Sequence, residues 1–406
     1  MSEAEFDWFV GIDWASQEHE IRLLDAQGRD CGRRCVAHSG AALGELADWL
    51  MEQSGGRPDR VAVAIELVRG AVVEGLLTRG FAVFGINPKQ LDRFRDRYTV
   101  AGAKDDRLDA FVLGDTLRTD RPRYRRLQLG DPKIIALRAL VESEEDLGGE
   151  IRRLANRLRA LLESYYPQVL ALCPAADESW LWSLLEIAAT PERASQVTKA
   201  RLTRLLRDHR IRRVEASEVM TTLRQKALPV APGTSEAASG QVLLLLARLR
   251  LAHSQRSRCE KKLKTALEEL ANDPEGDAVL LQSLPGIGRV VSAALLVDAG
   301  DLLLARDYSR LRSQAGIAPV TRRSGKRKTV VMRRACSSRL RRAMYHWAFC
   351  SMQRSARSRE IYAAARARGQ SHGRALRGLA DRLLRMLVAI LKTRTPFDPE
   401  RLSAPA

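Results

Sequence analysis

The apolar residues change their period near residue 130, and that change divides what the chain can fold into. Before it the apolar runs are short. FDWFVGIDWA, EIRLLDAQ and RRCVAH read as three strands separated by turn residues, followed by an amphipathic helix over 41–53. RVAVAIEL and FAVFGIN are apolar enough for buried parallel strands, with a helix at 71–78 between them and a last helix at about 104–117. Residues 1–130 therefore read as an α/β domain.

After it the period is seven. Leu140, Leu147, Leu154 and Leu161 form one seam, with Leu137, Ile151 and Leu158 at the partner positions, and Glu144 and the pair Gly148, Gly149 interrupt it. A second seam runs Val242, Leu245, Leu249, Ala252, Cys259, Leu263, Ala266, Leu270, with Arg256 standing in it. A long cation can snorkel out of such a stripe. Two matched seams can pair within one chain or between chains, and periodicity alone leaves both open. Residues 131–275 are thus expected to be a helical coiled-coil region supporting a homo-oligomer, at least a dimer. Leu228 to Gly240, LPVAPGTSEAASG, reads as a linker. Residues 276–395 read as a basic, mostly helical domain and 396–406 as a frayed tail, so the fold class is α/β plus all-α.

The apolar stretches 242–247 and 386–391 fall far short of the roughly 20 residues a membrane span needs, and the first residues are acidic rather than signal-like. A cytoplasmic, nucleoid-associated protein with no membrane partner is expected. The six cysteines are expected to be reduced thiols. Cys31, Cys35 and His38 lie close together, but zinc needs a fourth ligand and no second cluster offers one. His19, His346 and His372 stand alone, without ligand spacing around them.

Charge is distributed unevenly. The chain carries 68 Lys and Arg against 49 Asp and Glu, a formal +19. Residues 301–406 hold 25 basic and 6 acidic residues, while the first 300 residues hold 43 of each. The whole excess sits in the last quarter, which points to a polyanionic partner there.

Acids occupy awkward places in the first domain. Asp13 sits in the strand pattern GIDWAS, Glu66 closes VAVAIE, and Asp105, Asp106 and Asp109 crowd a helix start. Asp106 and Asp109, three apart, share a helix face. Acids are unwelcome in buried strands, and converging carboxylates repel unless cations bind among them. Hard oxygen ligands suit Mg²⁺, which serves phosphodiester chemistry.

The basic quarter carries two further motifs. Leu284 to Gly288, LPGIG, fits a helix-hairpin-helix turn in which Pro285, Gly286 and Gly288, with Arg289 next, can present backbone N–H groups to a phosphate. Downstream, Ser324 precedes Gly325 among Arg322, Arg323, Lys326, Arg327 and Lys328. Cations so placed can stabilise the charge that develops if a serine attacks a phosphodiester. On local sequence alone, however, the serine reads as a phosphate contact in a solvated loop rather than as a nucleophile.

Taken in order, these motifs resemble the DEDD-type insertion-sequence transposases. The last acidic motif of that family reads Lys-Thr-Asp, two residues, Asp-Ala; here it is Lys104, Asp105, Asp106, Arg107, Leu108, Asp109, Ala110, with Asp105 in place of Thr. The PGIG turn, an Ala-Gly-Leu-x-Pro segment matched by Ala315 to Pro319, and the pair Ser324, Gly325 follow in family order. A later Gly-Asn pair is replaced by Cys336 and Ser337. The resemblance implies a ribonuclease H-like (RuvC-like) amino-terminal domain whose tetrad Asp13, Glu66, Asp106 and Asp109 binds Mg²⁺. It implies that Ser324, on another domain, is the recombination nucleophile acting through a phosphoserine. It further implies donor and target DNA as partners, a structured guide RNA bound by the amino-terminal and helical regions, and a tetrameric synapse.

Two other readings fit the residues: a junction nuclease using the acids and water, and a non-catalytic nucleic-acid scaffold. If the cations from Arg322 to Lys328 grip phosphates, replacing all five should flatten the slope of log affinity for DNA against log salt by up to about 0.9 per lost contact. An unaltered slope would put the DNA elsewhere.

Overall fold

A strand covered on both faces must be apolar at every residue, and Val61–Ile65 is buried throughout. It is β4 of a six-stranded sheet. The others are β1 (Trp8–Asp13), β2 (Glu18–Asp25), β3 (Asp30–Ala37), β5 (Ala82–Gly85) and β6 (Arg125–Arg126), in the order β3-β2-β1-β4-β5-β6. In this computed structural model, which describes residues 6–98, 105–273, 276–325 and 327–398, the chain forms two units, Met1–Asp131 and Pro132–Ala406. Lys104, Lys326 and everything beyond 398 lie outside the described residues.

In the first unit β1, β2 and β3 form an antiparallel meander, β4 and β5 run parallel to β1, and β6 is antiparallel to β5. Helices α1 (Gly40–Gln53) and α2 (Ala71–Thr78) cover one face, packing Leu46, Leu50, Val72 and Leu76 on Val10, Ile12, Val63 and Ile65. The other face meets α3 (Pro88–Arg95) and α4 (Asp106–Asp120) through Leu91, Val112, Leu113 and Leu117. This mixed sheet followed by a helical unit is consistent with the ribonuclease H-like expectation. Strand signals and α2 appear where the sequence places them, while α3 and β6 are additional and α4 runs three residues past the expected end.

Backbone shape sets how close α4 lies. A Cβ on Gly11 of β1 would sit 1.8 Å from the Ala110 carbonyl oxygen and 2.6 Å from the Gly114 nitrogen, and one on Gly114 would sit 3.2 Å from the Gly11 nitrogen. Two glycines meeting, beside Ala62 and Ala64 on the same face, let the helix rest on the strand backbone.

The second unit begins with α5 (Pro132–Tyr165). After it come α6 (Ser179–Ile187), α7 (Pro191–Ser195), α8 (Lys199–Asp208), α9 (Ala216–Leu223) and α10 (Thr234–Ala271). The two seams pair with each other inside this one chain, antiparallel: the Cys259 thiol donates to the Leu140 carbonyl at 3.2 Å, and Arg256 donates twice to Glu144 at 2.9 and 2.7 Å. The interruptions in the two heptad patterns are therefore partners. Arg256 also lies over Gly148, where a Cβ would be 3.7 Å from its guanidinium. The seam is filled by its own chain, so an oligomer would need other surfaces. The expected linker is shorter than read: it ends at Gly233 (φ +83°), and Ser235, Ala238 and Ser239 are already buried in α10. Small residues there suit close helix packing as well as they suit a loop.

The remainder holds α11 (Asp277–Gln282), α12 (Arg289–Leu304), α13 (Tyr308–Gln314), α14 (Ser338–Arg354), α15 (Ala356–Ala367) and α16 (His372–Thr393). A two-stranded antiparallel hairpin, β7 (Val320–Ser324) with β8 (Arg327–Val331), interrupts the helices and departs from the expected loop. Leu137, Val141, Leu263 and Leu267 of the long helices share one core with α11 to α16, and Ile151 to Leu162 with Val242 to Ala252 share another with α6 to α9. Among the described residues no helix is long and apolar enough to cross a membrane.

Gly11→Ala should destabilise the protein by at least about 2 kcal/mol in urea unfolding, because its methyl meets backbone that cannot step aside. A change under about 0.5 kcal/mol would show that α4 rides higher than this geometry has it.

Candidate functional site

Parallel register brings the first two acids level. Ile12 pairs with Ile65, so Asp13, the last residue of β1, and Glu66, directly after β4, leave neighbouring strands at the same end of the sheet. Helix α4 starts over that end. Asp105 is its N-cap, its carboxylate accepting from the Arg107 N–H at 3.0 Å, which leaves Asp106 and Asp109 in the first turn where the helix dipole favours negative charge. Carboxylate oxygens of Asp13, Asp106 and Asp109 lie within 4.8 Å of one another. Glu66 is half-buried and stands outside that group of three. The cap role of Asp105 explains why its neighbour, not it, joins the cluster.

Asp109 is 2% exposed, and a buried carboxylate needs a partner. Arg95, at the end of α3, supplies one: its Nε and Nη2 donate to the two oxygens of Asp109 at 2.6 and 2.7 Å. Burial works against the Arg95 charge, but Asp109, Asp92 and Glu66 together push its pKa up. Nearly two turns along α4, the Tyr98 hydroxyl donates to Asp115, and burial with that carboxylate pushes the phenol up to about 12, so it stays a donor. Three carboxylates, one from a strand and two from a helix's first turn, suit a hard divalent cation in number and chemistry. Arg95 was not singled out from sequence.

A second pair missed in the sequence steadies the turn after Asp13. His19 is fully buried; its Nδ1 accepts from the Ala15 N–H at 3.3 Å and its Nε2 lies 2.9 Å from His38 Nδ1. Trp14 stacks on its ring at 6.3 Å. Burial, then the neighbouring His38, lowers the His19 pKa. His38 is thereby occupied, and Cys31 and Cys35 are exposed thiols. The other acid-rich group among the described residues, Cys173, Asp177 and Glu178, is held by Arg213 at 2.6 and 2.7 Å from Glu178.

In the second unit, Ser324 ends β7 at the tip of the hairpin and is exposed. Gly325 turns the chain at φ +53°. Register pairs Ser324 with Arg327 and Arg322 with Thr329, so the two arginines share the serine's face; Arg323 and Lys328 oppose each other on the other face. Directly opposed like charges weaken a hairpin unless an anion lies across them. None of Arg322, Arg323, Arg327 and Lys328 makes an ion pair among the described residues.

The LPGIG turn divides by role. Gly286 (φ +77°) lies against α14, where a Cβ would sit 2.5 Å from the Ser351 nitrogen, and the Pro285 carbonyl accepts from Trp347 at 3.0 Å. Those two residues serve packing, whereas Gly288 and Arg289, opening α12, are exposed. Ser337 caps α14, accepting from Leu340 at 3.2 Å, and donates to Asp298 at 2.9 Å, so the departure at Cys336 and Ser337 forms a sound turn.

Comparison with known proteins adds a separate line. Residues 10–167 match the model of the DEDD transposases of IS110, and residues 278–363 match that of the transposase IS116/IS110/IS902 family. A Sinorhizobium fredii protein named as a transposase is 46% identical over 209 residues, covering 51% of this chain and 58% of that protein. A Streptomyces coelicolor protein named as the transposase of the IS117 mini-circle is 32% identical over 100% of this chain and 99% of its own. The 43.6 kDa protein of insertion element IS110 from the same organism is 32% identical over 96% of the chain and 95% of its own.

Because the folded pKa of His19 lies below the ordinary 6.5, unfolding takes up a proton as pH falls past about 6.5, and its stabilisation is present above that value and lost below it. The Tm should therefore decline from pH 6.5 towards 5, and His19→Gln should make that decline shallower. An identical slope in the variant would remove His19 from the acid response.

Proposed function

Because this chain belongs to the IS116/IS110/IS902 transposase family, we propose that it moves an insertion sequence by cutting and rejoining DNA. The acidic centre of the first unit works with Ser324, presented by residues 276–395. The observation that carries this is the gathering of Asp13, Asp106 and Asp109 within 4.8 Å, with Glu66 on the adjacent strand end.

In this reading Asp13, Glu66, Asp106 and Asp109 would hold Mg²⁺, which when bound would neutralise phosphate charge and stabilise a departing oxygen. Ser324 Oγ forms a bond to phosphorus while the bond from phosphorus to one sugar oxygen breaks, and the serine proton ends on that departing oxygen as a free hydroxyl. Attack by the hydroxyl of an exchanged strand on the phosphoserine reverses the bonds and returns the proton to serine. Arg322 and Arg327, on the serine's face, stabilise the extra charge at phosphorus. Exposure of Ser324, and the lack of an ion pair at Arg322 and Arg327 among the described residues, supports this role.

DNA is gripped through its phosphates by the hairpin and by the exposed start of α12 at Gly288 and Arg289. Sequence choice falls to a structured RNA encoded by the same element, as the resemblance implies; an aromatic content of 5% fits backbone and shape contacts better than base stacking. Assembly is a dimer or tetramer formed through surfaces outside the α5–α10 seam.

With DNA carrying the element's ends, Ser324→Ala should abolish both strand exchange and the protein–DNA adduct on a denaturing gel, and Asp106→Ala should abolish cleavage. Continued cutting by Ser324→Ala would instead favour a hydrolytic junction nuclease. Full activity of both variants would take the chemistry away from these residues altogether.

A further inference from the structure

The carboxylate buried deepest in the acidic centre is already neutralised by the protein itself. Both oxygens of Asp109 are engaged by the Arg95 fork, and Arg95 is itself only 17% exposed. A divalent cation bound by Asp13, Asp106 and Asp109 would share those oxygens with a guanidinium. Two cations a few ångströms apart in a poorly hydrated site repel strongly.

Arg95 has somewhere else to go. Its Nη1 already lies 3.5 Å from Asp92, one turn earlier on α3, and Asp92 is 67% exposed. Rotation about the side chain alone would move the guanidinium outward to Asp92 without moving the helix. We propose that Arg95 is the resident counter-ion of this centre and that a divalent cation binds by displacing its guanidinium from Asp109 towards Asp92. The inference rests on the metal-binding reading given above and specifies what that binding must overcome. It makes Arg95 a positioning residue: it keeps Asp109 aimed when no cation is bound, and it sets the concentration at which one enters.

The test uses the full-length protein and thermal unfolding, titrated with MgCl₂ or MnCl₂ at constant ionic strength. Arg95→Gln should lower the metal-free Tm, because Asp109 loses its partner, and should lower the half-saturating metal concentration about tenfold. Arg95→Lys keeps the charge but cannot fork, so it should fall between; it also serves if the glutamine variant does not fold. Arg93→Gln, which removes an exposed charge from the same helix, should leave half-saturation within about twofold of wild type, since exposed charges are screened.

Equal half-saturation in wild type and both Arg95 variants would overturn the displacement. A weaker metal response in Arg95→Gln would do the same, by making Arg95 a support of the bound state. Equal gains in Arg93→Gln and Arg95→Gln would reduce the effect to the general field. Absence of any metal-dependent shift in every protein would overturn the metal-binding reading itself, and this inference with it.

Discussion

The close approach of α4 to β1 is the constraint on which the acidic centre depends. Gly11 and Gly114 allow backbone to meet backbone, and only that depth brings the first turn of α4 down to the carboxylate at the end of β1. The same depth buries Asp109, which creates the need that Arg95 answers. A helix held even one methyl group higher would leave three separate acids. The chemistry of the site is thus a result of packing at two residues that have no side chains.

The second unit uses charge in two opposite ways. Inside, Asp298 of α12 gathers Arg339 at 3.0 Å, Ser337 at 2.9 Å and Arg138 at 3.6 Å, tying α5, α12 and the start of α14 together. Arg339 also reaches Glu145 at 3.0 Å. These cations are consumed by structure. Among the described residues, Arg322, Arg323, Arg327 and Lys328 make no ion pair, and the hairpin that carries them follows the buried residues Ile317 and Ala318. The +19 of the chain is therefore a poor guide to its nucleic-acid surface until the internally paired arginines are set aside.

What could be read from sequence was what local pattern encodes. The β1 and β4 runs, the acids at their ends and the two heptad seams follow from residues within a few positions of one another. Gly11 could not be understood that way, because the atom it makes room for belongs to Ala110. His19 and His38 meet through the pairing of β2 with β3, which one sequence does not announce. The hairpin had a signal in its sequence: a glycine, Gly325, directly after VTRRS suits the start of a tight hairpin connection to RKTVV. Glu144 and Arg256 carried another, since two breaks of opposite charge at matching depth in two seams imply that the seams face each other.

The long helices each belong to two cores, one end in each, joined by the Glu144–Arg256 pair between them. A helix of 34 residues is about 50 Å of rod, and two bound side by side resist bending far better than one. Such a beam transmits tilt: pivoting by about 5° at one core sweeps the far end through roughly 4 Å. Load applied where the cationic hairpin sits would reach the α6–α9 cluster as leverage, with no loop having to rearrange along the way.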